Sequence, residues 1–592
     1  MRIALFGVDF RRFLRSSSTS LHHHGTRRRG LTTFESPTMA PQSETLWASL
    51  LVATVTATAT YVLTKRREDQ KHKEIVYRQY QREKILKEKT AQARLEKHEP
   101  PAGTLLDDVQ VNKVYLWECE DLRKRFTSAN VPNLMQNRPN PPPAIRSPTL
   151  RQSSTTNDSE HSEDKKRRTQ YNKLITDHEC ILGDIVRKPN RHKHTVSYMR
   201  AGPRRYLHFD PKTVNAAIVT CGGLCPGLNN VIREITKTLH QLYGIDGHVY
   251  GIQGGYRGFY DPAPHLQPII LTPELVENIH HEGGTVLGSS RGGFDLDKIL
   301  KFLRDRKVNQ LYVIGGDGTH RGAFRIHEGC MERGMNVAVA GIPKTIDNDV
   351  DYIDHSFGFS SAVEAAQVAI RSAKTEAVCN LPNGIGIVKL MGRSAGFIAA
   401  HATMASSDID LCLVPEVPTV LEGPNGCLPH LMRRVKQQGY AVVVVAEGAG
   451  EDVLGESAET DASGNKKLPA IGEFMKKAVE EYFSKFGEVA TVKYIDPSYT
   501  VRSVPANAAD SLYCMQLAQN AVHGAMAGYT GFSVGLCNNR MVWLPIPELV
   551  ATSPRSMNPR GRTWERVLAL TRQPNTVPDG ESSYDSHAPM LR

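Results

Sequence analysis

The 592-residue chain has 40% hydrophobic and 23% charged residues, room for two or three domains with sizeable cores, and a formal net charge of +11. Residues 1–100 hold 19 Lys+Arg against 10 Asp+Glu, so +9 of the +11 lies there and the other 492 residues net only +2. This excludes a basic nucleic-acid-binding body; the ten scattered cysteines, with no Cys-x-x-Cys pair, exclude a zinc site and fit reduced thiols.

In chain order, residues 1–34 carry seven arginines and a single acid, Asp9, the composition of a targeting peptide, which marks 1–45 as a possible leader. Leu46–Leu63 is an uncharged run of 18 residues that reaches the lower length range of a membrane anchor, with Lys65-Arg66-Arg67 directly after it. Within 64–170, residues 65–99 read as a charged helix or stalk, 104–130 as a second unit with the apolar cluster Val111–Trp117, and Pro132 to about Arg168 as a disordered linker rich in Pro, Ser and Asn. The catalytic body is expected to lie in the cytoplasm, membrane-anchored through 46–63, with a plastid or mitochondrion as the alternative.

From Val214 the texture changes to short apolar runs, glycine turns and helical stretches, the pattern of βα units on a parallel sheet. Val214–Thr220 reads as a strand, Cys221–Asn230 as a glycine-rich turn and Val231–Leu242 as a helix whose first amides face a phosphate. His248–Gln253 is a further strand; a helix is expected before the polar turn Gly288–Gly293. Two loops then follow two apolar runs. The first is Gly315-Gly-Asp-Gly-Thr319; the second is Pro343-Lys-Thr-Ile-Asp-Asn-Asp349. Ligands of open α/β sheets sit outside the carboxyl ends of the strands, so both loops should line one crevice. One loop offers amides and an acid suited to Mg2+, the other acids suited to accepting a proton. Together they point to phosphoryl transfer from a nucleotide to a hydroxyl. No Walker A sequence is present, so this is not a P-loop enzyme.

A second lobe is read from Gly384, with Ile385–Leu390 a strand leading into Met391-Gly-Arg393, and Tyr440–Ala446 a strand ending at Glu447. Residues 451–467 read as a polar loop. Tyr499 and Arg502 stand three apart. Phe532–Cys537 and Arg540–Pro545 read as the last strand pair. The domain plan is therefore an N-terminal lobe over 171–383, a C-terminal lobe over 384–571 and a tail over 572–592.

These motifs, in this order, resemble the 6-phosphofructokinase family over roughly residues 175–570, and within it the ATP-dependent branch of plants and kinetoplastids. The resemblance implies an α/β fold of two Rossmann-like α/β/α lobes with the active site between them, in a homo-oligomer (tetramer or dimer). It implies MgATP phosphorylating the 1-hydroxyl of fructose 6-phosphate, the committing step of glycolysis, in an enzyme open to allosteric control. By motif, Gly222, Arg291, Gly292, Gly316, Asp317, Gly318 and Thr319 would hold ATP, with Asp317 the metal ligand. Thr345, Ile346, Asp347, Asp349, Met391, Gly392, Arg393, Glu447, Tyr499, Thr500, Val501 and Arg502 would hold the sugar phosphate. Asp347 would be the base and Arg393 a catalytic cation. Gly318 and Lys344 would set the donor.

Three positions depart from the bacterial pattern: Lys344 stands for a glycine, Gly384 for an arginine given to a neighbouring subunit, and Tyr499 for a histidine, with Lys493 a substitute cation. The rival readings are a pyrophosphate-dependent phosphofructokinase and a membrane-tethered regulatory paralogue without activity.

Overall fold

The structure is a computed structural model and describes residues 114–133, 174–185, 195–455 and 468–578. All of these belong to one compact unit, residues 98–592. The proposed leader, the Leu46–Leu63 anchor and most of the linker lie outside the described residues. Among the described residues no helix is long and apolar enough to cross a membrane.

Two sheets organise the unit. The larger has ten strands, and its central path runs Phe532–Cys537, Ala338–Pro343, Gln310–Gly315, Ala216–Thr220 and Val249–Ile252, all parallel. These strands are buried on both faces, as their unbroken apolar runs require. The chain places Val249–Ile252 on one side of Ala216–Thr220 and then crosses to Gln310–Gly315 on the other, so the switch point falls between Thr220 and Gly315. Crevices for ligands open at such points. The smaller sheet is parallel throughout, in the order Leu411–Leu413, Tyr440–Ala446, Gly384–Leu390, Thr491–Ile495.

Helix Phe359–Cys379 carries the chain from one sheet to the other. Its buried residues Ala362, Ala366, Ala369, Ile370, Ala373 and Ala377 recur at helical spacing. Small residues here let Gly384–Leu390 approach closely: a Cβ on Gly384 would stand 1.9 Å from the Ala377 carbonyl oxygen. No arginine fits at 384, which explains the departure noted in the sequence.

Five expectations need correction. The stretch 64–170 does not all stand outside the catalytic body: Val114–Trp117 pairs with Thr195–Arg200 at the edge of the large sheet, and Glu120–Asp121 pairs with Tyr529–Thr530. Trp117 packs on Tyr198 and Tyr352 with centroids 5.5 and 5.1 Å apart, which holds this segment on the body. The second lobe is not continuous from 384 to 571, because Phe532–Cys537 and Arg540–Pro545 return to the large sheet. The helix expected before Gly288 is absent; Pro262, Pro264, Pro268 and Pro273 deny it amide donors, and only short 3-10 turns form. Within 451–467, Glu451–Leu454 is a short helix, and 456–467 lie outside the described residues. The helix after the first glycine turn starts earlier than expected, at Leu228, because Gly227 in the left-handed region (φ +98°) ends the turn there.

Candidate active site

Three loops leave the carboxyl ends of the large sheet's central strands. The turn after Thr220 is held by the Gly222 N–H donating to the Ser290 carbonyl at 3.0 Å and by Ser289 Oγ donating to the Gly222 carbonyl at 2.6 Å. Gly222 has φ +87°, and a Cβ on it would stand 3.4 Å from Lys344 Nζ. Lys344 is buried and donates a 2.6 Å hydrogen bond to the Gly223 carbonyl; burial pulls its pKa below the usual lysine value. A Cβ on Gly223 would lie 3.8 Å from Arg502 Nη1 and 3.9 Å from Arg291 Nη2. Glycine thus leaves three cations converging on one turn, two of them from distant parts of the chain.

The second loop becomes the first turn of helix Asp317–Glu332. Gly316 precedes it without a side-chain cap, so the first amides are left to an anion. Gly318 is exposed, and a Cβ there would meet nothing within 4 Å. Thr319 packs back on Gly315, where a Cβ would come within 2.5 Å of it. Beneath this turn His320 is fully packed, bonded to Ser533 Oγ at 3.0 Å, and burial lowers its pKa to about 4, so it stays neutral.

The third loop holds the acids. Thr345 Oγ1 donates to Asp349 Oδ1 at 2.7 Å and accepts the Asp347 N–H at 3.1 Å, which fixes both carboxylates on one tight turn. Asp347 Oδ1 is buried and has no hydrogen-bond partner. Burial, with the charges of Asp349 and Glu447, raises its pKa to about 7 against the opposing pull of Lys344 and Arg393. Asp317 is raised to about 6 by burial and by Asp349. Asp349 therefore stands near both acids, and is itself raised by burial.

The small sheet closes the other side. Met391-Gly392-Arg393 follows Leu390, and the Glu447 N–H donates to the Leu390 carbonyl at 2.9 Å, so Glu447 lies beside that turn. Gly392 has φ +132°. Since the charges of Glu447 and Arg393 act on Asp347, loops of the two sheets come together around it. Helix Ser498–Ser503 brings Tyr499, three-quarters exposed, with the Arg502 guanidinium 4.9 Å from its ring. Arg502 Nε is buried without a partner. Arg291 and Gly292 sit on an exposed turn.

Not every expected residue presents a side chain to the crevice. Ile346 and Val501 are packed in the core, and Thr500 Oγ1 bonds to the Pro497 carbonyl at 2.8 Å. Sequence reasoning missed Arg555 and Glu416, which brace the acid loop and the Arg393 turn. Neither belongs to a motif, and only tertiary contacts reveal them.

The donor set suits Mg2+. Among the described residues no group of three or more acidic, histidine or cysteine side chains could hold a metal alone. Asp317, with Asp349 near it, offers the one or two carboxylates that Mg2+ takes when phosphates and water complete its shell. Two mutually repelling, partly buried carboxylates are stabilised by a divalent cation.

A family model described as "Phosphofructokinase" matches residues 215–525. "ATP-dependent 6-phosphofructokinase 7" of Arabidopsis thaliana is 50% identical over 391 residues, covering 66% of this chain and 79% of its own. "ATP-dependent 6-phosphofructokinase 4, chloroplastic" of the same plant is 49% identical, over 68% of this chain and 75% of its own. The "ATP-dependent 6-phosphofructokinase" of Trypanosoma cruzi is 44% identical, over 63% and 76%. In fold, the chain is similar to the crystal structure of a pyrophosphate-dependent phosphofructokinase from Marinobacter aquaeolei, with a TM-score of 0.50 at 19% identity, over 62% of this chain and 94% of that one. Matched over more than half its length by the family model and half identical to curated relatives, this chain belongs to the phosphofructokinase family and is a kinase.

Proposed function

We propose that the protein transfers the terminal phosphoryl group of ATP to the 1-hydroxyl of fructose 6-phosphate, yielding fructose 1,6-bisphosphate and ADP. The observation that carries this reading is the buried, unpartnered Asp347 Oδ1. A buried polar atom without a partner is costly, and a substrate hydroxyl is the group it lacks. A pKa near 7 suits a general base, since it can hold the hydroxyl proton and release it at working pH.

Asp349 orients the turn through Thr345, and Asp317, with Asp349 near it, would hold Mg2+. Bound Mg2+ would supply charge neutralisation on the phosphates. Lys344 and Arg291 hold the transferring phosphates from the glycine turn, with the first amides of helix Asp317–Glu332 opposite. Arg393, Glu447, Met391 and Gly392 hold the sugar, and Arg502 beside Tyr499 its phosphate. The catalytic unit reads as two lobes, one on each sheet, in a homo-oligomer. The acid-poor, arginine-rich residues 1–34 and a chloroplastic relative support a plastid, with the cytosol as the alternative.

A pyrophosphate donor is the second reading, favoured by Lys344 alone. Assaying purified protein with fructose 6-phosphate and either donor separates them: turnover with ATP is expected, and turnover with pyrophosphate only contradicts the proposal. Activity with neither would favour a regulatory paralogue.

A further inference from the structure

The segment Ser553–Met557 runs between the two loops assigned to the chemistry and touches both. On one side the Arg555 N–H donates to the Asp349 carbonyl at 2.7 Å. Its guanidinium donates from Nε to the Asn348 carbonyl and from Nη1 to the Ile353 carbonyl, each at 3.2 Å. Ser553 Oγ accepts the Asp351 N–H at 3.2 Å. On the other side, Glu416 accepts the Met557 N–H at 2.7 Å and the Gly396 N–H at 2.9 Å. Ser556 Oγ donates to the Ser394 carbonyl at 3.2 Å. The Arg555 guanidinium also lies 5.3 Å from the ring of Phe397, the first residue of the helix that follows the Arg393 turn.

We infer that Arg555 is a positioning residue for phosphoryl transfer, holding the Asp347–Asp349 turn of the large sheet in register with the Met391–Gly396 turn of the small one. The role rests on the reading of Asp347 as proton acceptor. Asn348 has φ +58°, left-handed backbone that asparagine adopts more readily than other residues with a side chain, and this one position sets the direction of the turn. The Ser356 N–H donates to Asn348 Oδ1 at 2.9 Å from within the loop, and Arg555 grips the Asn348 carbonyl from outside. Asn348 sits between the two acids, so loosening it moves both. A guanidinium suits the task, since its rigid planar fork holds two carbonyls in fixed geometry while its face lies by a ring; an ammonium on a flexible stem fixes neither direction. Glu416 anchors the far end, because its one carboxylate receives the Met557 N–H of this segment and the Gly396 N–H of the Arg393 turn.

The test is Arg555→Ala, assayed with MgATP and fructose 6-phosphate beside a thermal melt. A base displaced by a fraction of an ångström keeps its substrates bound but transfers the proton poorly, so kcat should fall by about tenfold to a hundredfold with KM values changed by less than about twofold. Added guanidinium should restore kcat by occupying the vacated space, and equal sodium chloride should not. An unchanged kcat, or a loss that guanidinium does not relieve, overturns the role. If the alanine variant does not fold, Arg555→Lys is read instead: it keeps the charge but not the fork, so the same kcat-specific loss is expected, and wild-type kcat overturns the role. An Asp347→Asn variant measured alongside separates the two levels. Full turnover there overturns the proton-acceptor reading and with it this role, whereas strong loss there with wild-type kcat in Arg555→Ala overturns the positioning role alone.

Discussion

Lys344 Nζ donates a 2.6 Å hydrogen bond to the carbonyl of Gly223, so a cation at the end of one strand clamps the glycine turn at the end of another. The ammonium is buried, and the bond leaves its remaining donors for the phosphates that the turn would cradle. Lys344→Met keeps the bulk and removes both interactions. A charge-assisted hydrogen bond of about 1.5–3 kcal/mol predicts a loss of roughly tenfold to a hundredfold in kcat/KM for ATP. Thermal stability should hold, because removing a desolvated ammonium offsets the lost bond. Steady-state kinetics with ATP varied, beside a melting curve, checks both statements.

Donor choice should reside at Gly318. A Cβ there meets nothing within 4 Å, so aspartate fits without distorting the fold. By the family resemblance its charge would lie beside the nucleotide α-phosphate, and two like charges about 4 Å apart at an effective dielectric near 20 repel by roughly 4 kcal/mol, close to a thousandfold in affinity. Gly318→Asp should abolish saturation with ATP and permit slow turnover with pyrophosphate, because Lys344 is already present. A variant that still saturates normally with ATP assigns specificity elsewhere.

The acid loop sets a pH dependence. Asp347 must be ionised to accept a proton, and burial with two neighbouring carboxylates raises its pKa to about 7. As pH falls through that value the base is lost, so kcat/KM should decline on the acid side. The same shift opposes stability. Between the ordinary carboxylate range and about 7, the folded protein binds a proton that the unfolded chain does not, so stability falls as pH rises through that window. Asp347→Asn should therefore raise the melting temperature of the free enzyme at pH 8 by a few degrees, corresponding to about 1–3 kcal/mol. A lowered melting temperature contradicts this account of the loop.

Residues 114–133 should be needed for the body to fold. Leu122 is fully buried, and Trp117 covers Tyr198 and Tyr352. A chain beginning at residue 170 uncovers these side chains, each worth about 1.5–3 kcal/mol of burial, and should aggregate or melt well below one beginning near residue 100. Size-exclusion chromatography and melting curves of the two chains decide it.

The loops of the candidate site were legible in the sequence as short turns after apolar runs. Asp317, Thr345, Asp347 and Arg393 stand in short loops after apolar runs, where strand ends and chemistry are local signals, and Tyr440–Ala446, Phe532–Cys537 and Arg540–Pro545 form strands with the bounds expected. What escaped notice depends on distant partners. Val114–Trp117 lies in the apolar cluster that the sequence shows, but its strand state goes unmarked, because it forms only where Thr195–Arg200 offers an edge. The return of Phe532–Pro545 to the first sheet leaves no local mark. Arg555 and Glu416 sit in stretches with no motif, and only their hydrogen bonds join them to the catalytic loops. Gly384 is the converse case: a glycine that read as a lost arginine is required by a helix passing behind it.

The central claim is that Asp347 accepts the proton of the sugar hydroxyl, and the turnover of Asp347→Asn with MgATP and fructose 6-phosphate tests it most directly. Asparagine keeps the shape of the turn and the Thr345 contact to its N–H, but it cannot take up a proton. The account predicts that kcat falls by about 10² to 10⁴, the usual worth of general-base catalysis, while KM for the sugar changes far less. A variant turning over near the wild-type rate would contradict it and remove Asp347 from the chemistry.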